Sequence, residues 1–448
     1  MKFLCFFLWV TQFSFSQTFT PNLNRTYSPP NRYRFYSPSA QEAQLKFNYS
    51  VELFKTSQPR DTEYKTAIDK QLSFLFGAFS NQNRQAVPKG DHTFQILRAQ
   101  QVNSNTWRAD YSYSGRILIS QGPNSYSFFL PIRPYEIWVK SLTNNTANLY
   151  PCTDDQHPQE GYFWYFFNPK AYGCNLKENV DYFSVQGQLQ YLQNTKLTFP
   201  EYDRLFVNGE LTFDILFGMD NSSLDWNPQS SRDLSAQSYR QIKLVLSQWG
   251  YKGHVWTNQE LQLFFGKLGY YNQMPFVEEL VKTTPKGKVT YRIFFGASTI
   301  YDGMSFHKFL SNSLMNSSIM LYAGHSGLGE YLNLDLIQNH STLKLQANQN
   351  RYQIYFFNSC SSYPYYNSQY LNLKRTTTDP LGTKNLDIIT NGLSTLFLSI
   401  APSSITLMQA VESYSNGGIK MSYQDMMRKG DSNNLIGING DEDNTSSH

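Results

Sequence analysis

Two short apolar runs in the second half of the chain end in side chains that can do chemistry together. Ser318-Ile-Met-Leu-Tyr-Ala323 leads straight into Gly324-His325-Ser326-Gly327, and Tyr352-Gln-Ile-Tyr-Phe-Phe357 leads into Asn358-Ser359-Cys360-Ser361-Ser362. A thiol becomes a strong nucleophile when a nearby imidazole takes its proton or stabilises the thiolate. The oxyanion formed on attack needs donors, and glycine beside the histidine lets the backbone approach closely enough to supply one. The N–H groups of Gly327 and Cys360 are the candidates. In open parallel sheets such groups meet just beyond the carboxyl ends of the strands. The 35 residues from His325 to Cys360 leave room for the crossover that a parallel pair requires.

Other residues compete for the same or neighbouring roles. Gly324-His-Ser326-Gly-Leu328 is close to the G-x-S-x-G elbow of serine esterases, with Ser326 as nucleophile. Its final position is Leu328, with Gly329 one residue late, and its Asp and His would have to come from Asp379 or Asp387 and His340 or His448. Beyond the first few residues the chain has three cysteines, Cys152, Cys174 and Cys360, so pairing leaves one over. Cys152 and Cys174 bracket an aromatic stretch, Tyr162 to Phe167. Together with His157 and Asp154 or Asp155 they are zinc-type ligands, but their spacing fits no zinc pattern, and a disulfide closing the loop is the reading adopted. No metal site and no cofactor is expected. Gly440-Asp-Glu-Asp-Asn444 lacks the spaced ligands of a calcium loop and reads as the start of a solvated tail over residues 441–448.

The elements that must position these groups fall into two blocks. From Leu45 apolar and polar residues alternate, and similar short runs follow at Phe94 to Leu97, Trp107 to Tyr113, Arg116 to Ile119, Tyr126 to Ile132 and Glu136 to Val139. Turn residues separate them, which predicts a mostly antiparallel β domain over residues 41–205. From residue 206 to 440 strands alternate with helices, the pattern of an α/β domain with a mostly parallel sheet. Leu211 to Met219 is a strand ending in Gly218-Met-Asp-Asn221, and Ser231 to Trp249 reads as a helix capped by Ser231. Strands at His254 to Trp256, Val289 to Phe295 and Leu386 to Thr390 and helices at Glu260 to Leu268, Val277 to Val281, Phe306 to Leu314 and Ser404 to Glu412 complete the expectation.

The N-terminus carries Lys2, an apolar run from Phe3 to Val10 and a small-x-small site at Ser14-Phe15-Ser16, the layout of a signal peptide over residues 1–16. That run is shorter than the roughly 18 residues needed to span a bilayer, and no later stretch qualifies, so no transmembrane segment is expected after processing. The chain is therefore read as secreted, periplasmic or held at the cell envelope. Residues 17–40, with four prolines, read as an extended leader. With 40% hydrophobic and 16% charged residues the chain is globular, and a net charge of +4 without a basic cluster argues against a nucleic-acid partner.

The strand ending in a Gly-His turn, followed by a strand ending in a small residue, Cys and Ser, resembles the clan of cysteine peptidases that contains caspases, legumains, gingipains and clostripain, over Leu211 to Gly440. The resemblance implies a six-stranded caspase-like sheet with flanking helices, a protein or peptide substrate, and a dyad in which His325 is the general acid/base and Cys360 the nucleophile. Those peptidases have Gly directly after the histidine, whereas this chain has Ser326 and then Gly327. Asp379 and Asp387, which follow the nucleophile, are the candidates for selecting a basic side chain. A chain of this clan without activity, acting as an envelope-binding protein, is the alternative.

Overall fold

The computed structural model describes residues 35–444, apart from 145–147, 155–156, 158, 195, 267–273 and 342. The expected signal peptide, most of the expected leader and residues 445–448 lie outside the described residues.

The first block is a five-stranded antiparallel sheet. Its strands are β1 (Gln41–Phe54), β2 (Ala86–Asn103), β3 (Thr106–Ile119), β4 (Ser125–Pro131) and β5 (Tyr182–Tyr191), in the order β2-β3-β1-β5-β4. Alternation along β1 sends Leu45, Phe47 and Val51 into a core shared with helices Asp61–Leu72, Leu75–Ser80 and Glu160–Phe166. Cys152 and Cys174 form a disulfide beside this core. The strand expected at Glu136 to Val139 is instead a short helix, Ile137–Ser141, because its apolar residues are followed by no partner strand and its first turn is closed by the Lys140 N–H on the Glu136 carbonyl.

The second block is a mixed sheet of eight strands. They are β6 (Glu210–Gly218), β7 (Lys252–Val255), β8 (Phe276–Thr284), β9 (Gly287–Gly296), β10 (Ile319–Ala323), β11 (Gln353–Asn358), β12 (Leu386–Thr390) and β13 (Gly437–Asn439), ordered β13-β12-β11-β10-β6-β9-β8-β7. The five strands from β12 to β9 run parallel, and the flanking strands are antiparallel. Every residue of β10, β11 and β12 is buried, as expected of strands covered on both faces. Ile319, Leu321, Ile354 and Phe356 face the helices Leu234–Gln248 and Phe397–Ser415. Met320, Tyr322, Tyr355 and Phe357 face the helices Met304–Asn316 and Ser362–Lys374.

Val277 to Val281 lies in β8 rather than in a helix, because it forms a hairpin with β9 through the Thr284–Gly287 turn, and its Val277 and Leu280 are buried among the sheet. The helix expected from Ser231 begins at Leu234, since the Asp233 carboxylate, not Ser231, accepts the Ser235 N–H at 2.8 Å. The end of the expected leader is not a free strap: Phe35 is buried, and Tyr36 pairs antiparallel with Ile438 of β13. Nor do residues 441–444 form a solvated tail, because Gly440 turns the chain back at φ 94° and buries Asp441 beneath Thr198.

The two blocks are joined through the helix Ser362–Lys374. The Tyr363 hydroxyl donates to Glu42 of β1, Phe35 packs edge-on against Tyr363 at 5.1 Å, and Phe76 stacks on Tyr365 at 6.2 Å.

Candidate active site

Three adjacent parallel strands deliver the reactive groups to one edge. Ala323 of β10 is in register with Phe217 of β6 and with Asn358 of β11. His325 and Cys360 therefore each stand two residues beyond a paired position, and Asp220 three residues beyond the other. The sequence reading missed Asp220. Its Oδ1 lies 2.6 Å from Nε2 of His325, so a neutral imidazole donating Nε2–H to this carboxylate keeps its Nδ1 lone pair free to act as a base. The ring of His325 also meets Phe397 edge-on at 5.0 Å. Asp220 is itself held by the start of the helix Leu234–Gln248: the Asn221 N–H donates to Asp233, and the Ser235 hydroxyl donates to the Gly218 carbonyl.

The loop that carries His325 is anchored from beneath by tyrosines of the buried face. Tyr322 donates to the His325 carbonyl (2.6 Å), Tyr366 to the Ser326 carbonyl (3.1 Å) and Tyr370 to the Leu332 carbonyl (3.0 Å). The Ser326 carbonyl also accepts the N–H groups of Gly329 and Tyr331. A trans peptide is planar, so fixing that carbonyl turns the Gly327 N–H to the opposite side. Gly327 has φ 55° and Gly329 φ 95°, and a Cβ on Gly329 would come within 2.7 Å of the Tyr365 ring, so this loop needs glycine there.

Cys360 sits in a tight strand-to-helix turn. Ser361 adopts the left-handed region (φ 47°), and its N–H donates to the Leu393 carbonyl. Asn358 at the end of β11 accepts from Asn391 at the end of β12, and donates to Ile400 and Ser403 of the following helix. The Thr395 N–H donates to the Cys360 sulfur at 3.3 Å. Burial pushes the thiol above its usual range, while the Thr395 and Cys360 N–H groups and the Ser394 hydroxyl oppose that rise. The resting group is thus a thiol that needs a base. Cys360 and Ser326 line a cavity of about 600 Å³ that opens at this edge.

The other predicted residues lie elsewhere. Asp379 closes a turn, accepting the N–H groups of Gly382 and Lys384 in the connection that enters β12 from the far end. Asp387 is the second residue of β12, where it accepts from Tyr352, Tyr423 and Asn444. Neither reaches the edge that holds His325 and Cys360: β12 lies beside β11 and parallel to it, but Asp387 is level with Ile354 at the amino end of β11 and Asp379 precedes β12, whereas His325 and Cys360 follow the carboxyl ends of their strands. His340 packs against Tyr301, and His448 lies outside the described residues. His157 bonds Asp154 and stacks on Phe166 rather than joining the two cysteines, which are bonded to each other.

No protein-family model matches the chain, and no curated protein matches it.

Proposed function

We propose that the chain is an exported cysteine peptidase of the caspase-like kind, acting through Cys360 and His325 with Asp220 orienting the imidazole. The observation that carries this reading is the placement of Asp220, His325 and Cys360 just beyond the carboxyl ends of three neighbouring parallel strands, with Asp220 bonded to His325 and Cys360 lining a cavity. The five-stranded parallel centre with helices on both faces supports the fold that the resemblance implies. The Cys152–Cys174 disulfide supports an exported protein. No helix among the described residues is long and apolar enough to cross a membrane.

In this reading the Cys360 proton passes to Nδ1 of His325 as sulfur bonds to the peptide carbonyl carbon. The N–H groups of Gly327 and Cys360 stabilise the oxyanion. His325 then returns the proton to the departing amine as the C–N bond breaks, leaving a thioester. Water, deprotonated by the same imidazole, hydrolyses the thioester and restores the thiol.

Hydrolysis of an unselective mixture of fluorogenic peptides by the purified protein tests this. A thiol alkylating reagent abolishes it and a fluorophosphonate does not; inhibition by the fluorophosphonate alone would replace the reading with a serine esterase using Ser326.

A further inference from the structure

The cavity at Cys360 has one wall from each half of the molecule. Phe76, Tyr165 and Phe166 come from the β-rich half, and Leu393, Leu396 and Leu398 from the loop that follows β12 and the helix after it. The first wall is fixed in place: Phe76 packs against Tyr165 at 4.9 Å and stacks on Tyr365, which lies on the helix that begins beside Cys360. The second wall is open, with Leu396 73% and Leu398 74% exposed. Leucines left in water at the mouth of a cavity beside a thiol are the mark of a surface meant to be covered by a ligand. The charged residues of the lining are Lys429 and Asp431, of opposite sign, and Asp431 already accepts the Asn434 N–H at 3.2 Å. The lining therefore offers no unbalanced charge with which to select an acidic or a basic side chain, and Asp379 and Asp387 are at the other end of the sheet.

We infer that this cavity selects a large apolar side chain, aromatic or long aliphatic, next to the scissile bond, and that the β-rich half supplies the aromatic wall against which it packs. The inference rests on the peptidase reading. The β-rich half is then part of the substrate site rather than a separate binding module.

A peptide library digested by the full mature protein, with the new termini read by mass spectrometry, tests it. Cleavage concentrates beside Phe, Tyr, Leu or Met, by about tenfold or more over Asp, Glu, Lys and Arg, as apolar pockets discriminate. Tyr165→Ala and the surface variant Leu396→Asp each reduce kcat/KM for these peptides by about tenfold, the scale on which a pocket contact acts. Alkylation of Cys360 by a small reagent without a side chain, such as chloroacetamide, is unchanged in the uncharged variant Tyr165→Ala. Preference for charged residues, or an apolar preference that both variants retain, overturns the inference and leaves the peptidase reading standing. Absence of cleavage of every peptide overturns both.

Discussion

At the scale of single residues, the proposed chemistry depends on what Asp220 and His325 do for Cys360. Burial holds the thiol protonated, so the base must be aimed at it, and the Asp220 carboxylate fixes which imidazole nitrogen carries the proton. Asp220→Asn keeps the size of the side chain but can present an amide N–H to Nε2, favouring the wrong tautomer. We expect kcat to fall, within the range of roughly 10²–10⁴ that positioned acid–base groups contribute, with KM little changed and partial recovery in Asp220→Glu. Steady-state kinetics on one fluorogenic peptide checks this; a rise in KM alone would assign Asp220 to substrate binding. Asp220 also shows what sequence reading can and cannot reach. The placement of His325 and Cys360 just beyond neighbouring strands was legible because each follows an apolar run, and Cys360 stood out as the cysteine left over after pairing. Asp220 follows a strand in the same way, but an Asp in a Gly-Met-Asp-Asn turn is ordinary turn chemistry, and only the strand order brings it to the histidine. Asp379 and Asp387 lie away from His325 and Cys360 for a different reason: they stand before and at the amino end of β12, and the direction of a strand in its sheet is not legible in the sequence.

At the scale of elements, the abundance of tyrosine acquires a structural role. Tyr322, Tyr366 and Tyr370 fill the face of the sheet under the His325 loop and spend their hydroxyls on its carbonyls. Tyr322→Phe preserves the packing but removes the donor to the His325 carbonyl and leaves the buried Ser298 hydroxyl without the Tyr322 hydroxyl it meets at 3.1 Å, a loss of about 1–3 kcal/mol in thermal or denaturant unfolding. In the proposed mechanism activity falls further than stability does, because the loop that loses its anchor carries His325. Retained full activity in a measurably destabilised variant would separate the anchor from the site. A second element-scale expectation concerns β12. Asp387 is wholly buried, and that burial, against hydrogen bonds from Tyr352, Tyr423 and Asn444, pushes its carboxyl up from 3.8 to about 7. The folded protein therefore prefers it protonated. Its contribution is most favourable below pH about 4 and is lost as pH rises from about 4 to about 7, by on the order of a few kcal/mol. Asp387→Asn removes this dependence, so the variant's unfolding temperature exceeds that of the parent at pH 8 and approaches it at pH 4; parallel pH curves for the two proteins would contradict the assignment. The helix boundaries and the strand at β8 were less legible than the sheet core, because buried helix and buried strand share short apolar runs and only pairing distinguishes them.

At the scale of the whole molecule, the two halves act as one unit through the helix that begins after Cys360. Lys89 and Glu42 form a buried ion pair 2.5 Å apart, and Glu42 also accepts from Tyr363, three residues beyond Cys360. Removing one partner of such a pair leaves a buried charge uncompensated, so Glu42→Ala costs about 3–5 kcal/mol and reduces activity with it. Tyr363→Phe, which spares the ion pair, has the smaller effect of the two, and equal effects in chemical denaturation would argue against a pair that matters more than the contact between halves. The division into a β-rich and an α/β block was readable from the change in periodicity near residue 206. Their joint cavity was not, since nothing in the alternation of Leu45 to Leu53 or in the turns that follow tells which face of one sheet meets the edge of another.

The most direct test of the central claim is covalent capture at Cys360. The full mature protein is treated with a peptidyl acyloxymethyl ketone series and the modified residue is located by mass spectrometry, in parallel with His325→Ala and Asp220→Asn variants shown by circular dichroism to be folded. The account predicts modification of the parent at Cys360, at a rate lowered sharply in His325→Ala and less in Asp220→Asn. A folded parent whose Cys360 stays unmodified, or reacts as fast without His325 as with it, would contradict the account.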